Sequence, residues 1–378
     1  MLHFPVPIGI VAGGVASEGQ RKASQYGLRP PLLRLSSRDN WDAACGEQEL
    51  IQRMVALARA AGLPFSRTLI VTCYVSLKTN PFVLLTGIEG AGKTELVTLF
   101  AEALLGHGSP QYALINGDSS WLTATGDQHS FRSLFDRFTS LRFLELLQEA
   151  ADPGSAGKAF IVCFSGLLPE EVNYYFTTLL SVDEEGRKRL QLPGIPEEDR
   201  PVVPPNVSIT ATVNTAEYAG VLHADVLRRA GVIAFRAGRV NNPMWRPLAP
   251  APVGIQRLWL RVGQRDAVAA RDHLLRIIGA TQWNRMECSE PLASALRRAG
   301  IALPPRLRQD VMRYVANSFD EEGRGLFDPD DALRNAQIAF DSQVAQRLIW
   351  YLRDALDPHL LTALMNDPDA SRPLAWAG

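Results

Sequence analysis

Residues 81–96 of this 378-residue chain read PFVLLTGIEGAGKTEL. Gly87, Gly92, Lys93 and Thr94 complete the pattern GxxxxGK followed by Ser or Thr. At average composition, a chance match in a chain this long has odds of about one in a hundred. The flanks narrow the reading. Phe82–Thr86 is an apolar run of strand length, and Lys93–Leu105 places Leu96, Phe100, Leu104 and Leu105 on one helical face before Gly106 stops it. Strand, glycine loop and helix in that order predict peptide N–H groups curled round a polyphosphate, aided by the positive end of the helix dipole. Lys93 is expected to reach the terminal phosphates and Thr94 to ligate Mg²⁺. The predicted cradle comprises Gly87, Ile88, Glu89, Gly90, Ala91, Gly92, Lys93, Thr94 and Glu95, with ATP or GTP and Mg²⁺ as cofactors. Kinases, GTPases and motor ATPases share such a loop, so the rest of the chain has to decide among them.

Further apolar runs at Tyr112–Ile115, Ala159–Phe164, Val207–Val213 and Val232–Phe235 predict strands, separated by helical patterns at Leu134–Glu149 and Glu170–Leu180. Strands alternating with helices imply a parallel α/β sheet, whose ligands bind at the carboxyl ends of the strands. Helical spacing also marks Gln48–Ala61 and Phe65–Leu77 upstream, and Ala267–Ile278, Arg306–Phe319 and Asp331–Ala355 downstream. Residues 238–253 carry Pro243, Pro247, Pro250 and Pro252 and read as a linker. The expected division is 1–64 as arm and accessory helix, 65–240 as the α/β nucleotide-binding domain, and 241–378 as linker and helical lid domain.

A formal net charge of −1 excludes a global basic field, so DNA is expected to be met only indirectly, through a partner. Cys45, Cys73, Cys163 and Cys288 form no CxxC pair, which speaks against a zinc or redox site and for a reducing cytoplasm. Cys73 and Cys163 lie in apolar runs and are expected to pack as small hydrophobes. The N-terminal stretch MLHFPVPIGIVAGGVASEG is too short to span a bilayer and has no basic region before it, so no membrane association is expected. Trp121, Tyr174, Tyr175 and Phe176 suit helix and core packing better than base stacking.

Several stretches agree with one family. SLKTNPFVLLTGIEGAGKT (76–94), the acidic INGDSSWLTATGD (115–127), EEVNYYFTTLLS (170–181), PPNVSITATVNTAEY (204–218), ADVLRRAGVIAF (224–235) and LPPRLRQDVMRYVANSF (303–319) together resemble the McrB-like, MoxR-related clade of AAA+ NTPases. These are motor subunits of modification-dependent restriction systems, and the resemblance runs over about residues 65–355 with loose identity between motifs. It implies a three-layer α/β/α P-loop AAA+ sheet followed by a smaller α-helical lid. It also implies a sensor asparagine at Asn214, an arginine at Arg229 serving a neighbouring subunit's site, and a sensor-2 arginine at Arg306, with Arg308 and Arg313 as rivals. Assembly into a ring, as a hexamer, or with a second AAA+ or nuclease subunit is implied too. Arg228 departs from the family, which commonly has an aspartate there.

The chain departs more seriously at IVCFSGLL (161–168). Counting back from the YYF helix, the Walker B aspartate and its glutamate neighbour fall on Ser165 and Gly166. General-base assistance is worth about 10²–10⁴-fold, or about 2.7–5.4 kcal/mol of barrier. Serine keeps a weak, uncharged hold on a metal-bound water, and glycine offers only backbone. Glu170 and Glu171 follow, but in a first helical turn the dipole already explains them. The expected function is nucleotide binding with weak or absent hydrolysis, as a ring subunit of a restriction or anti-phage type complex. The alternative is an active motor that drives a partner nuclease with an unconventional acid.

Overall fold

The computed structural model describes residues 46–80, 82–116, 143–178, 180–182, 188–190, 200–214, 222–223, 226–227, 230–235, 240, 254–263, 266–287 and 305–348. Its strands are β1 (Phe82–Gly87), β2 (Tyr112–Asn116), β3 (Phe160–Leu167), β4 (Leu180–Val182), β5 (Lys188–Leu190), β6 (Val207–Asn214) and β7 (Gly231–Ala234). Five of them form one sheet in the order β2-β3-β6-β1-β7, each neighbouring pair parallel. β4 and β5 form a separate antiparallel pair.

β1 from Phe82 to Leu85 and β3 from Phe160 to Phe164 are apolar and buried because that part of the sheet is covered on both faces, whereas β6 interleaves Ser208, Thr210 and Thr212 and the edge strand β2 leaves Leu114 exposed. Alternation of side chains then splits each strand between two cores. Val83 and Leu85 of β1, with Ile161 and Cys163 of β3, enter the first core. Phe82 and Leu84, with Phe160, Val162 and Phe164, enter the second. Each such fully buried side chain contributes about 1.5–3 kcal/mol relative to exposure.

The first core is roofed by α1 (Glu47–Ala60), α2 (Arg67–Thr79) and α3 (Lys93–Leu105). The second receives α4 (Phe143–Ala151) and α5 (Pro169–Thr178). Later helices are α6 (Ile255–Val262), α7 (Ala267–Glu287), α8 (Pro305–Asn317) and α9 (Ala332–Gln343), and they extend the first core. Tyr74, Phe100 and Trp259 join α2, α3 and α6 by edge-on ring contacts, with centroids 4.9–6.3 Å apart. Phe176 of α5 stacks on Phe82 at 4.2 Å and is buried, so its aromatic surface is spent inside the fold. The side chains of Tyr174 and Tyr175, and all of Trp121, lie outside the described residues.

A polar network ties the N-terminal helices to the C-terminal ones. Lys78 Nζ reaches Glu47 Oε1 at 2.6 Å, and the Tyr74 hydroxyl donates to the same oxygen at 2.9 Å. Lys78 also donates to the Phe319 carbonyl, and Arg67 donates to those of Leu326 and Phe327. Arg347 is buried, and donates to Asp310 of α8 and to Asn80 at the end of α2.

Expected and observed elements differ at several points. β3 does not stop at Phe164 but continues to Leu167, with its register on β6 shifted between Phe164 and Leu167. α5 stops at Thr178, and Leu180, expected in that helix, begins β4. The β4–β5 pair was not expected, since three-residue strands leave no alternation to read. α7 runs past the expected Ile278 across a kink at Gly279. α9 passes at Val344 into a π turn over Val344–Leu348, and the rest of the helical stretch expected to Ala355 lies outside the described residues. Of Leu134–Glu149, only the part from Phe143 lies within the described residues. Cys73 and Cys163 are buried free thiols, as their apolar surroundings predict.

Candidate nucleotide-binding site

β1 ends at Gly87, and α3 begins at Lys93 with Gly92 as its N-cap. Gly92 has φ +91, a left-handed conformation that side chains resist. A Cβ there would stand 2.5 Å from Val240 Cγ2 and 2.9 Å from the Phe65 ring. Two half-buried apolar side chains, one from before α2 and one from beyond β7, therefore close on the loop from behind. The Val240 N–H also donates to the Gly90 carbonyl at 2.8 Å. Of the remaining cradle residues, Ile88 and Glu89 are exposed at the loop tip, Ala91 is buried, and Glu95 lies in the first turn of α3.

Lys93 is buried and turned back on its own loop, donating from Nζ to the carbonyls of Gly87 at 3.0 Å and Ile88 at 2.6 Å. Burial pushes its ammonium below the usual lysine range, while the charges of Glu95 and Glu89 hold it up. An ammonium has three donors and is satisfied here by two carbonyls.

Thr94 Oγ1 and Ser165 Oγ are 2.7 Å apart, hydroxyl against hydroxyl. The contact joins the first turn of α3 to the carboxyl end of β3. It brings Ser165 within hydrogen-bond distance of the Thr94 hydroxyl. Gly166, next to it, is exposed with φ +74, and its N–H donates to Thr212 Oγ1 at 2.8 Å. This bond and the register shift form a local bulge that turns the chain out of the strand. Asn116 at the end of β2 is the register partner of Ser165, and Asn214 at the end of β6 is the partner of Gly87. Asn214 is thus one strand away from the start of the phosphate loop.

Glu171 is buried, and its Oε2 accepts the Leu168 N–H at 2.7 Å, closing the start of α5. That bond explains the acid by helix capping. The Glu170 side chain lies outside the described residues, as do Arg228 and Arg229. Arg306 is exposed in α8. Its two rivals hold ion pairs, Arg308 with Glu287 and Arg313 with Asp310. The Cys163 thiol, two residues before Ser165, is pushed up to about 12 by burial, which makes it inert. Among the described residues, no group of three or more His, Cys, Asp or Glu side chains is placed to hold a metal ion.

Sequence reasoning missed Phe65, Val240 and Arg347. An aliphatic residue in a presumed linker and an arginine in a helical pattern carry no local signal of what they touch.

Parallel sheet, glycine loop, invading lysine and helix N-terminus together define a P-loop α/β fold. No protein-family model matches the chain, and no curated protein is significantly similar to it. Among solved structures, that of C. elegans PCH-2 is similar at 17% identity and a TM-score of 0.22, covering 79% of this chain and 68% of that one. No helix of the described residues is long and apolar enough to cross a membrane.

Proposed function

We propose that this chain is an AAA+ type P-loop subunit that binds ATP or GTP through Gly87–Glu95 and hydrolyses it slowly or not at all. One observation carries the reading: the Thr94–Ser165 hydroxyl pair, 2.7 Å apart. It supports the reading, made from the sequence resemblance, in which the uncharged Ser165 takes the Walker B aspartate's position. Gly166 beside it has no side chain with which to polarise water. The active-motor alternative would need an acid from elsewhere. Glu171 is held at the start of α5, where its Oε2 accepts the Leu168 N–H.

In this reading Lys93 neutralises the terminal phosphates, and Asn214, in register with Gly87, orients solvent beside them. Arg229 and Arg306 complete the site from a neighbouring subunit and from the C-terminal helices, which act as the lid domain from residue 241 onward. Bound nucleotide then favours assembly rather than driving work. Self-association into a hexameric ring, pairing with an acid-bearing AAA+ or nuclease subunit, and a place in a cytoplasmic restriction or anti-phage complex rest on the sequence resemblance. Mg²⁺ is expected to arrive with the nucleotide, since among the described residues no group of three or more His, Cys, Asp or Glu side chains is placed to hold it.

The test is binding of labelled ATP and GTP, then steady-state phosphate release, with Lys93→Ala as control. Binding that Lys93→Ala abolishes, with turnover well below about 1 s⁻¹, is expected. Turnover at or above that rate overturns the reading of impaired hydrolysis, and binding unaffected by Lys93→Ala overturns the site. Ser165→Asp is the first step toward regained hydrolysis. Gly166→Glu meets open space but a left-handed backbone that costs about 1–2 kcal/mol. Light scattering on the same samples reads assembly.

A further inference from the structure

The ends of the strands beside the phosphate loop are uncharged as a set. β2 ends at Asn116, β3 passes through Ser165 and Gly166, β6 ends at Asn214, and β1 ends at Gly87. Registers put Asn116 against Ser165 and Asn214 against Gly87, while β3 meets β6 across the bulge after Phe164, so the described ends of these four neighbouring strands carry no charged side chain. Among the described residues, those here do not fit a protein-held Mg²⁺. A hard divalent cation is held by carboxylates, carbonyls, waters and phosphates, and a neutral hydroxyl adds little attraction. The Thr94 hydroxyl is moreover satisfied by another hydroxyl, not oriented by an anion.

Phosphate charge must therefore be met by other means. The cradle offers the Lys93 ammonium and the N-terminus of α3, which attracts anions through its dipole and free N–H groups. With no carboxylate at the end of β3, naked phosphates meet no repulsion there that a cation would have to relieve.

We propose, on the basis of nucleotide binding at this loop, that the site takes nucleoside polyphosphates without drawing on a divalent cation. Affinity for the free nucleotide then equals that for its Mg²⁺ complex. Glu95 and Glu89 are the acids that bear on this, because the charges of both act on Lys93.

The experiment titrates the full chain with fluorescent ATP and GTP analogues, in excess MgCl₂ and in excess EDTA. The two dissociation constants are expected to agree within about threefold. Ser165→Asp is expected to create a dependence, binding at least about tenfold more weakly in EDTA than in Mg²⁺. Ser165→Ala, which removes only a hydroxyl, is expected to stay indifferent, and thermal unfolding confirms that each variant folds. A wild-type affinity that falls about tenfold or more in EDTA overturns the proposal. If Glu95→Gln then removes that dependence, the carboxylate responsible is Glu95. Failure to bind in either condition overturns the nucleotide-binding reading itself, which is a separable outcome.

Discussion

Gly92 carries two constraints that are usually separate. Its φ of +91 lies where any side chain is strained, and the space a Cβ needs is filled by Val240 and Phe65. Gly92→Ala is expected to lose about 2 kcal/mol or more of stability, from the left-handed conformation and from overpacking. Urea denaturation measures it, and nucleotide affinity should fall in the same variant because α3 is displaced. The pattern of glycines was readable in advance, since a loop that wraps phosphate needs them. The packing behind Gly92 was not, because Phe65 and Val240 are far apart in the chain and adjacent only in the fold.

At the scale of elements, the Glu47–Lys78 pair holds α1 against α2 with both side chains buried. Breaking a buried pair by removing one partner typically costs about 3–5 kcal/mol, while replacing both by apolar groups is often neutral. Lys78→Met is expected to lose stability in that range, and Glu47→Leu/Lys78→Met to recover only part of it, because the Tyr74 hydroxyl and the Phe319 carbonyl lose these buried partners. Chemical denaturation of the two variants and the wild type separates these outcomes. Helical spacing announced both helices but not the pair, since charged residues in helices read as solvent-facing. β3 shows the same limit. Its apolar run was legible to Phe164, but the bulge at Ser165–Gly166 depends on the Thr212 hydroxyl of the neighbouring strand.

For the molecule as a whole, the C-terminal helices share a core with the N-terminal ones, and stability should respond to a single titration there. Burial raises the Asp341 carboxyl from its ordinary 3.8 to about 6. A raised folded value means that the native state keeps a proton that the unfolded chain has lost. The contribution of this carboxyl to stability therefore falls as pH rises from about 4 to about 6, and stays lowered above that. Asp341→Asn removes the titration. It is expected to stabilise the fold by about 1–2 kcal/mol near neutral pH, after discounting for partial exposure, and to change little near pH 4. Thermal unfolding across that range checks the sign, and a variant equally stabilised at both ends contradicts the assignment.

The chain by itself determined the strand–loop–helix unit at 82–105, the alternation that makes a parallel sheet, and the absence of acid at Ser165 and Gly166. Each is a local or periodic property, set by backbone conformation, side-chain alternation or residue identity. Only the tertiary structure decided the strand order, the meeting of Thr94 with Ser165, the register of Asn214 on Gly87 and the burial of Arg347 between Asp310 and Asn80. These depend on which distant segments share a core. One chain offers many pairings of comparable local propensity, and packing selects among them.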